Sequence, residues 1–136
     1  TTPDGTRCNL PVPLHSIQYC TAPPVELEPG SARECTITVV EMDTLDCAHA
    51  LVQQGHIPVV LNMASKTCPG GAYLTGTGTQ EEMLFRRSNY SQTLKHGMGP
   101  VRYPLADGGG VYSPAVTVFM HGPDKGYAPM QAPFEA

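Results

Sequence analysis

The chain has 136 residues and a formal net charge of −4 at pH 7, enough for one modest domain. The acidic balance argues against general nucleic-acid affinity, which needs a basic surface. No apolar run approaches the ~20 residues of a bilayer span, and no secretory leader is evident.

Taken in order, residues 1–31 are proline-rich (Pro3, Pro11, Pro13, Pro23, Pro24 and Pro29) and show no sustained apolar period. They read as an extended arm or short turns set before a domain over 32–136. Thr36 to Glu41 has the β-branched density of a strand. Asp46 to Gln54 reads as a helix, with Ala48, Leu51 and Val52 as apolar positions and Gly55 as its stop. Ile57 to Leu61 is a near-continuous apolar run, the pattern of a strand covered on both faces. Gln80 to Leu94 reads as a second helix, with Leu84, Ser88, Ser91 and Leu94 available for its packed stripe. The pair Arg86-Arg87 on that helix reads as a solvated face, with contact to a polyanion as the alternative. Asp107 to Gly110 is a turn. Val111 to Met120 is a third strand in which Pro114 forces a bend or an unpaired position. Strand, helix, strand, helix, strand implies an α/β domain with an at least partly parallel sheet.

The five cysteines, Cys8, Cys20, Cys35, Cys47 and Cys68, are odd in number and form no C-x-x-C pair. Reduced thiols in a cytoplasmic or nuclear compartment are the simplest reading. Cys47, His49, His56 and Cys68 have no familiar zinc spacing, and no metal site is expected.

The most informative stretch runs from Asn62 to Glu82. The Ile57–Leu61 run enters a loop holding Gly70, Gly71, Gly76 and Gly78, and the loop delivers Gln80-Glu81-Glu82 to a helix start. Glycines let backbone N–H groups approach a phosphate. Adjacent carboxylates at the loop's exit suit glycosidic-bond chemistry beside a phosphorylated sugar. A plainer reading competes with this one. Thr79-x-x-Glu82 matches a capping box, and acidic residues favour a first helical turn. Local pattern leaves both readings open.

Val60-Leu61-Asn62-Met63-Ala64-Ser65, Pro69-Gly70-Gly71-Ala72 and Gln80-Glu81-Glu82 together resemble the signature of the microbial-type poly(ADP-ribose) glycohydrolases. The likeness extends upstream to Asp43-Thr44-Leu45-Asp46. Downstream it includes Leu84 to Leu94, Tyr103-Pro104-Leu105 and Val111 to Phe119, so it covers the chain from about Glu34 to Phe134. It implies a macrodomain-like three-layer α/β/α fold with a mixed sheet. It also implies that a complete domain continues with more strands and a second glycine-rich loop, which would make this chain an N-terminal portion.

The resemblance further implies cleavage of the ribose–ribose O-glycosidic bond. Glu82 would protonate the leaving ribose oxygen and then activate water. That role asks for a raised pKa, which burial and repulsion from Glu81 favour and the helix dipole opposes. Glu81 would hold the adjacent ribose hydroxyl, and Gln80 would orient the acids or the ribose. Gly70, Gly71 and Ala72 would line the diphosphate, and Asn62 would face the distal ribose unless it is a turn residue. The family pattern has a third glycine where this chain has Ala72. The implied partners are ADP-ribose or poly(ADP-ribose) on modified proteins, with self-association or a complementing chain also open. No cofactor is implied. The alternatives are an ADP-ribose-binding module without turnover, and a fragment that needs a partner chain.

Overall fold

The computed structural model describes residues 3–5, 15–24, 34–76, 78–94 and 100–136. Asp43 opens the first helix, α1 (Thr44–Gln53). Its carboxylate accepts the N–H groups of Leu45 and Asp46, at 3.0 and 3.1 Å, which have no partners within a first turn. Gly55, at φ 84°, takes the left-handed turn that ends the helix. Leu45 and Ala48 of α1 join Leu84 of the second helix, α2 (Gln80–Arg87), in one apolar core.

Short strands close the rest. β1 (Ile17–Tyr19) pairs antiparallel with β2 (Gly110–Tyr112), so this part of the proline-rich region packs on the domain. Ser16 and Ser113 share a 2.7 Å hydrogen bond beside the pair. β3 (Thr117–Met120) pairs antiparallel with β4 (Pro129–Glu135), and Val118 lies opposite Phe134. Val118, Met130 and Phe134 complete the core. The chain breaks between Tyr112 and Thr117, around Pro114 and the positive-φ Ala115. The strand expected over 111–120 is therefore two strands, interrupted where proline removes a ladder donor.

Three expectations change. Residues 36–41 and 57–61 form no strand, because no neighbouring strand lies along them among the described residues. A strand exists only when a partner takes its backbone groups. The described strands form two antiparallel pairs and no parallel one, so they give a small mixed α/β fold. Helix α2 stops at Arg87, seven residues before Leu94. Ser88 is extended and donates its hydroxyl to Leu84 O at 2.6 Å. Asn89 binds the Thr117 backbone on both sides: its N–H donates to Thr117 O at 3.0 Å, and its Oδ1 accepts from Thr117 N at 2.8 Å. Side-chain and strand bonding thus replace the helical ladder at this point. A short 3₁₀ turn, Tyr90–Gln92, follows.

Arg86-Arg87 is not a solvated face. Arg87 is 1% exposed and donates to Asp43 Oδ1 at 2.6 Å, Asp46 Oδ1 at 2.9 Å and Met120 O at 3.2 Å. It joins the end of α2 to the start of α1 and the end of β3. Partial burial works to raise the pKa of Asp43. The Arg87 hydrogen bond and charge, with the N–H groups of Asp46 and Leu45, outweigh it and hold the carboxyl below its ordinary value. Replacing Arg87 with Met leaves two carboxylates facing each other at the head of α1. The expected loss is about 3 kcal/mol, read as a lower urea midpoint with an unchanged slope; an unchanged midpoint would show that the pair contributes nothing net.

Candidate functional site

The segment 61–72 has no regular secondary structure, and the first three residues of α2 hold it in place. Gln80 acts as a substitute peptide group: its Oε1 accepts from Met63 N and its Nε2 donates to Leu61 O, both at 2.8 Å. Glu81 accepts from Ser65 N at 2.8 Å through Oε2 and from Gly70 N at 3.0 Å through Oε1. Glu82 accepts from Ala72 N at 3.0 Å and from Thr79 N at 3.1 Å, and also from the Thr79 hydroxyl. Successive helical residues point about 100° apart, so the three side chains reach three successive parts of one loop.

Gly70 and Gly71 are favoured by contact as well as by conformation. Gly70 has φ 76°, and a Cβ there would lie 2.5 Å from the Phe85 ring. Gly71 has φ 53°, and its Cβ would meet Glu82 Oε1. Ala72 is not among the positive-φ residues, so the methyl group at the third glycine position carries no backbone strain. All three N–H groups are engaged inside the protein: Gly70 with Glu81, Ala72 with Glu82, and Gly71 with Cys68 O at 3.1 Å.

The capping box is formed, and the same carboxylate lies at the glycine loop. Glu81 and Glu82 are 4% and 5% exposed. The Thr79 hydroxyl and the Ala72 N–H outweigh desolvation and hold the Glu82 carboxyl down to about 2. The raised pKa expected of a general acid is therefore not found: Glu82 is a carboxylate that accepts from the Ala72 N–H, the Thr79 N–H and the Thr79 hydroxyl.

Asn62 is half-buried and donates to Tyr90 Oη at 3.5 Å, while its buried Oδ1 has no partner among the described residues. It lines a groove of about 790 Å³ together with Tyr90 and Tyr103. Gly71 and Ala72 line a second hollow of about 480 Å³, with Cys68, Tyr73 and Phe85. The structure thus gathers Asn62, Gly70, Gly71, Ala72, Gln80, Glu81 and Glu82 around one loop, with Asn62 opening to a different cavity from the glycines.

Some contributors were not singled out from the sequence. Ser65 Oγ caps the loop, accepting from Cys68 N at 3.1 Å, and a serine three residues before a Cys-Pro turn was its only signal. Arg86 donates from Nε to Tyr73 O at 2.9 Å and so holds the loop's far side. Tyr103 is pushed up to about 12 by burial and then by the charges of Tyr90, Glu81 and Cys68. Cys47 and His49 lie on α1, where the His49 ring stacks on Phe134 at 4.8 Å. Among the described residues no group of three or more His, Cys, Asp or Glu side chains is placed to hold a metal. None of the described helices is long and apolar enough to cross a membrane.

The chain matches the family model described as microbial-type PARG, catalytic domain, over residues 5–121. No curated protein and no solved structure matches it.

Two outcomes test this geometry. Gly70→Ala is expected to destabilise by roughly 2–4 kcal/mol, from the left-handed backbone and the collision with Phe85. Ala72→Gly should cost only about 0.5–1 kcal/mol. Chemical denaturation of the two variants compares them, and equal losses would mean that the loop conformation is wrong. The second outcome concerns pH. The folded state depresses the pKa of Glu82 from 4.5 to about 2, so its contribution is present above pH 4.5 and is lost as pH falls through about 2. Over that window the parent should lose stability more steeply than Glu82→Gln, and parallel curves would contradict the assignment.

Proposed function

The chain belongs to the microbial-type PARG catalytic-domain family, and on that premise we propose that it hydrolyses the ribose–ribose O-glycosidic bond of poly(ADP-ribose). One observation carries the reading. Two adjacent buried carboxylates hold N–H groups of the glycine loop at 3.0 Å. A diphosphate that takes over the N–H groups of Gly70, Gly71 and Ala72 therefore lies against Glu81 and Glu82.

That exchange also supplies the missing acid. Once Ala72 N–H turns to a phosphate oxygen, Glu82 loses a donor and gains a nearby negative charge. Both changes raise its pKa, so it takes up a proton. The proton then passes to the leaving ribose oxygen, which departs with the electron pair of the glycosidic bond. The anomeric carbon becomes oxocarbenium-like. Water adds to it and gives its proton to the Glu82 carboxylate, which restores the protonated acid of the complex, and the proton taken up on binding is released when the product leaves. Glu81 holds the neighbouring ribose hydroxyl, Gln80 keeps the loop and acids aligned, and Asn62 contacts the distal ribose from the groove side.

A second reading keeps the ligand without the turnover. The formed capping box and the low pKa of Glu82 favour an ADP-ribose-binding module in which Glu82 is structural. A time course of ADP-ribose release from poly(ADP-ribosyl)ated protein separates the two. Hydrolysis predicts release by the parent and a loss of roughly 10²–10⁴-fold in Glu82→Gln, with ADP-ribose affinity retained. Binding by both proteins with release by neither would establish the module.

A further inference from the structure

The loop held by Glu81 and Glu82 has a hollow beside it, distinct from the groove that Asn62 lines. The hollow has a volume of about 480 Å³ and lies between residues 68–75, Phe85 and residues 91–94. Phe85 and Leu94, both buried, form its apolar floor. Tyr73 and Leu74 extend that surface outward: the Tyr73 ring lies 5.2 Å from the Phe85 ring, and Leu74 is 82% exposed. Thr75 and Gln92 add a hydroxyl and an amide, and no lysine, arginine, aspartate or glutamate lines the hollow.

That lining selects a class of ligand. Aromatic and apolar walls with a few neutral polar groups suit a flat, uncharged ring on a hydroxylated sugar. A phosphate would ask for cations or unengaged N–H groups. The volume is in the range of ligand pockets, roughly 300–1,000 Å³. The wall is also held in place by the protein itself. Tyr73 O accepts from Arg86 Nε at 2.9 Å, Tyr73 N donates to Gly70 O at 3.1 Å, and Thr75 N donates to Ala72 O at 2.9 Å. A surface fixed before binding avoids the cost of ordering it in the complex.

The hollow begins at the acid. Gly71 and Ala72 line it, Ala72 N donates to Glu82 Oε1 at 3.0 Å, and a Cβ on Gly71 would meet the same oxygen. In the hydrolysis set out above, the oxygen that Glu82 protonates belongs to the ribose of an adenosine, and that ribose carries its base directly. The leaving nucleoside therefore lies within one sugar of Glu82. The adenosine of the released unit is farther off, separated from the reacting carbon by a ribose and a diphosphate.

We propose that the hollow is a second nucleoside subsite, which takes the adenosine on the leaving side of the cleaved bond. The inference rests on the hydrolase reading, and it makes the substrate a polymer of at least two units instead of a single ADP-ribose on a protein.

Calorimetry with two ligands tests this: ADP-ribose, and a fragment of two ADP-ribose units joined by the native bond. The Glu82→Gln chain is titrated so that the fragment is not consumed. It should bind the fragment roughly 5–100-fold more tightly than ADP-ribose, the range for stacking one base on an aromatic side chain. The chain's net charge is −4, so the second diphosphate brings no attraction of its own. Leu74→Ser and Tyr73→Leu, each added to Glu82→Gln, should bring the two affinities together and leave that for ADP-ribose unchanged. Leu74 is exposed, so its replacement keeps the fold even where loss of the Tyr73 ring does not. Equal affinities in the Glu82→Gln chain, a preference that survives both substitutions, or an equal loss for both ligands in the Leu74→Ser chain overturns the proposal. Release of ADP-ribose by the parent is followed separately. A preference for the fragment without release would keep the subsite and remove the hydrolysis, whereas release without the preference would keep the hydrolysis and remove the subsite.

Discussion

The carboxylates of Glu81 and Glu82 accept hydrogen bonds from backbone N–H groups of the loop that precedes them, and the arrangement of the site depends on those bonds. A loop with glycines at positive φ has many conformations available to it, and ordering it costs entropy at every residue. Charge-assisted bonds to a buried anion are among the stronger single contacts that can offset such a cost. The helix start contributes as well, because its free N–H groups and dipole favour negative charge in the first turn. Four acceptor contacts to Ser65, Gly70, Ala72 and Thr79 then fix where the loop lies.

Helix α2 works from both ends. Its first turn holds the loop through Gln80, Glu81 and Glu82, and its last residue, Arg87, holds the head of α1 and the end of β3. Eight residues thereby connect the loop, the first helix and one antiparallel pair. The loop lies on one face of this frame, against Phe85, whose ring contacts Tyr73 and Tyr90 at 5.2 and 4.8 Å. The proposed ligand chemistry follows from the same bonds. A phosphate that competes for the loop's N–H groups also changes the charge environment of the carboxylates, so binding and protonation are coupled.

Much of the site was legible in the sequence because it rests on short-range pattern. Thr79-x-x-Glu82 marked the helix start, and the glycines marked a loop before it; both are present, and Gly70, Gly71 and Gly76 take positive φ there. α1 was readable from its apolar spacing and Gly55. The strands were less so. β-branched runs at 36–41 and 57–61 carry strand propensity, yet a strand is a property of two segments, and their partners are not among the described residues. Pro129 and Pro133 obscured β4, where an edge position tolerates them. The direction of the Glu82 pKa shift was also beyond the sequence, since it depends on which donors reach the carboxylate. The roles of Arg86, Arg87 and Tyr103 depend on contacts more than ten residues apart in the chain, which no local window contains.

The most direct test of the central claim is amide hydrogen exchange, by NMR, at Ser65, Gly70 and Ala72 in the ligand-free protein. These three N–H groups should be protected although they lie in a loop, and the resonances of Gly70 and Ala72 should move when ADP-ribose is added. Exchange at the rate of an unstructured chain at all three would mean that the carboxylates do not hold the loop, and the coupling of binding to Glu82 protonation would fall with it.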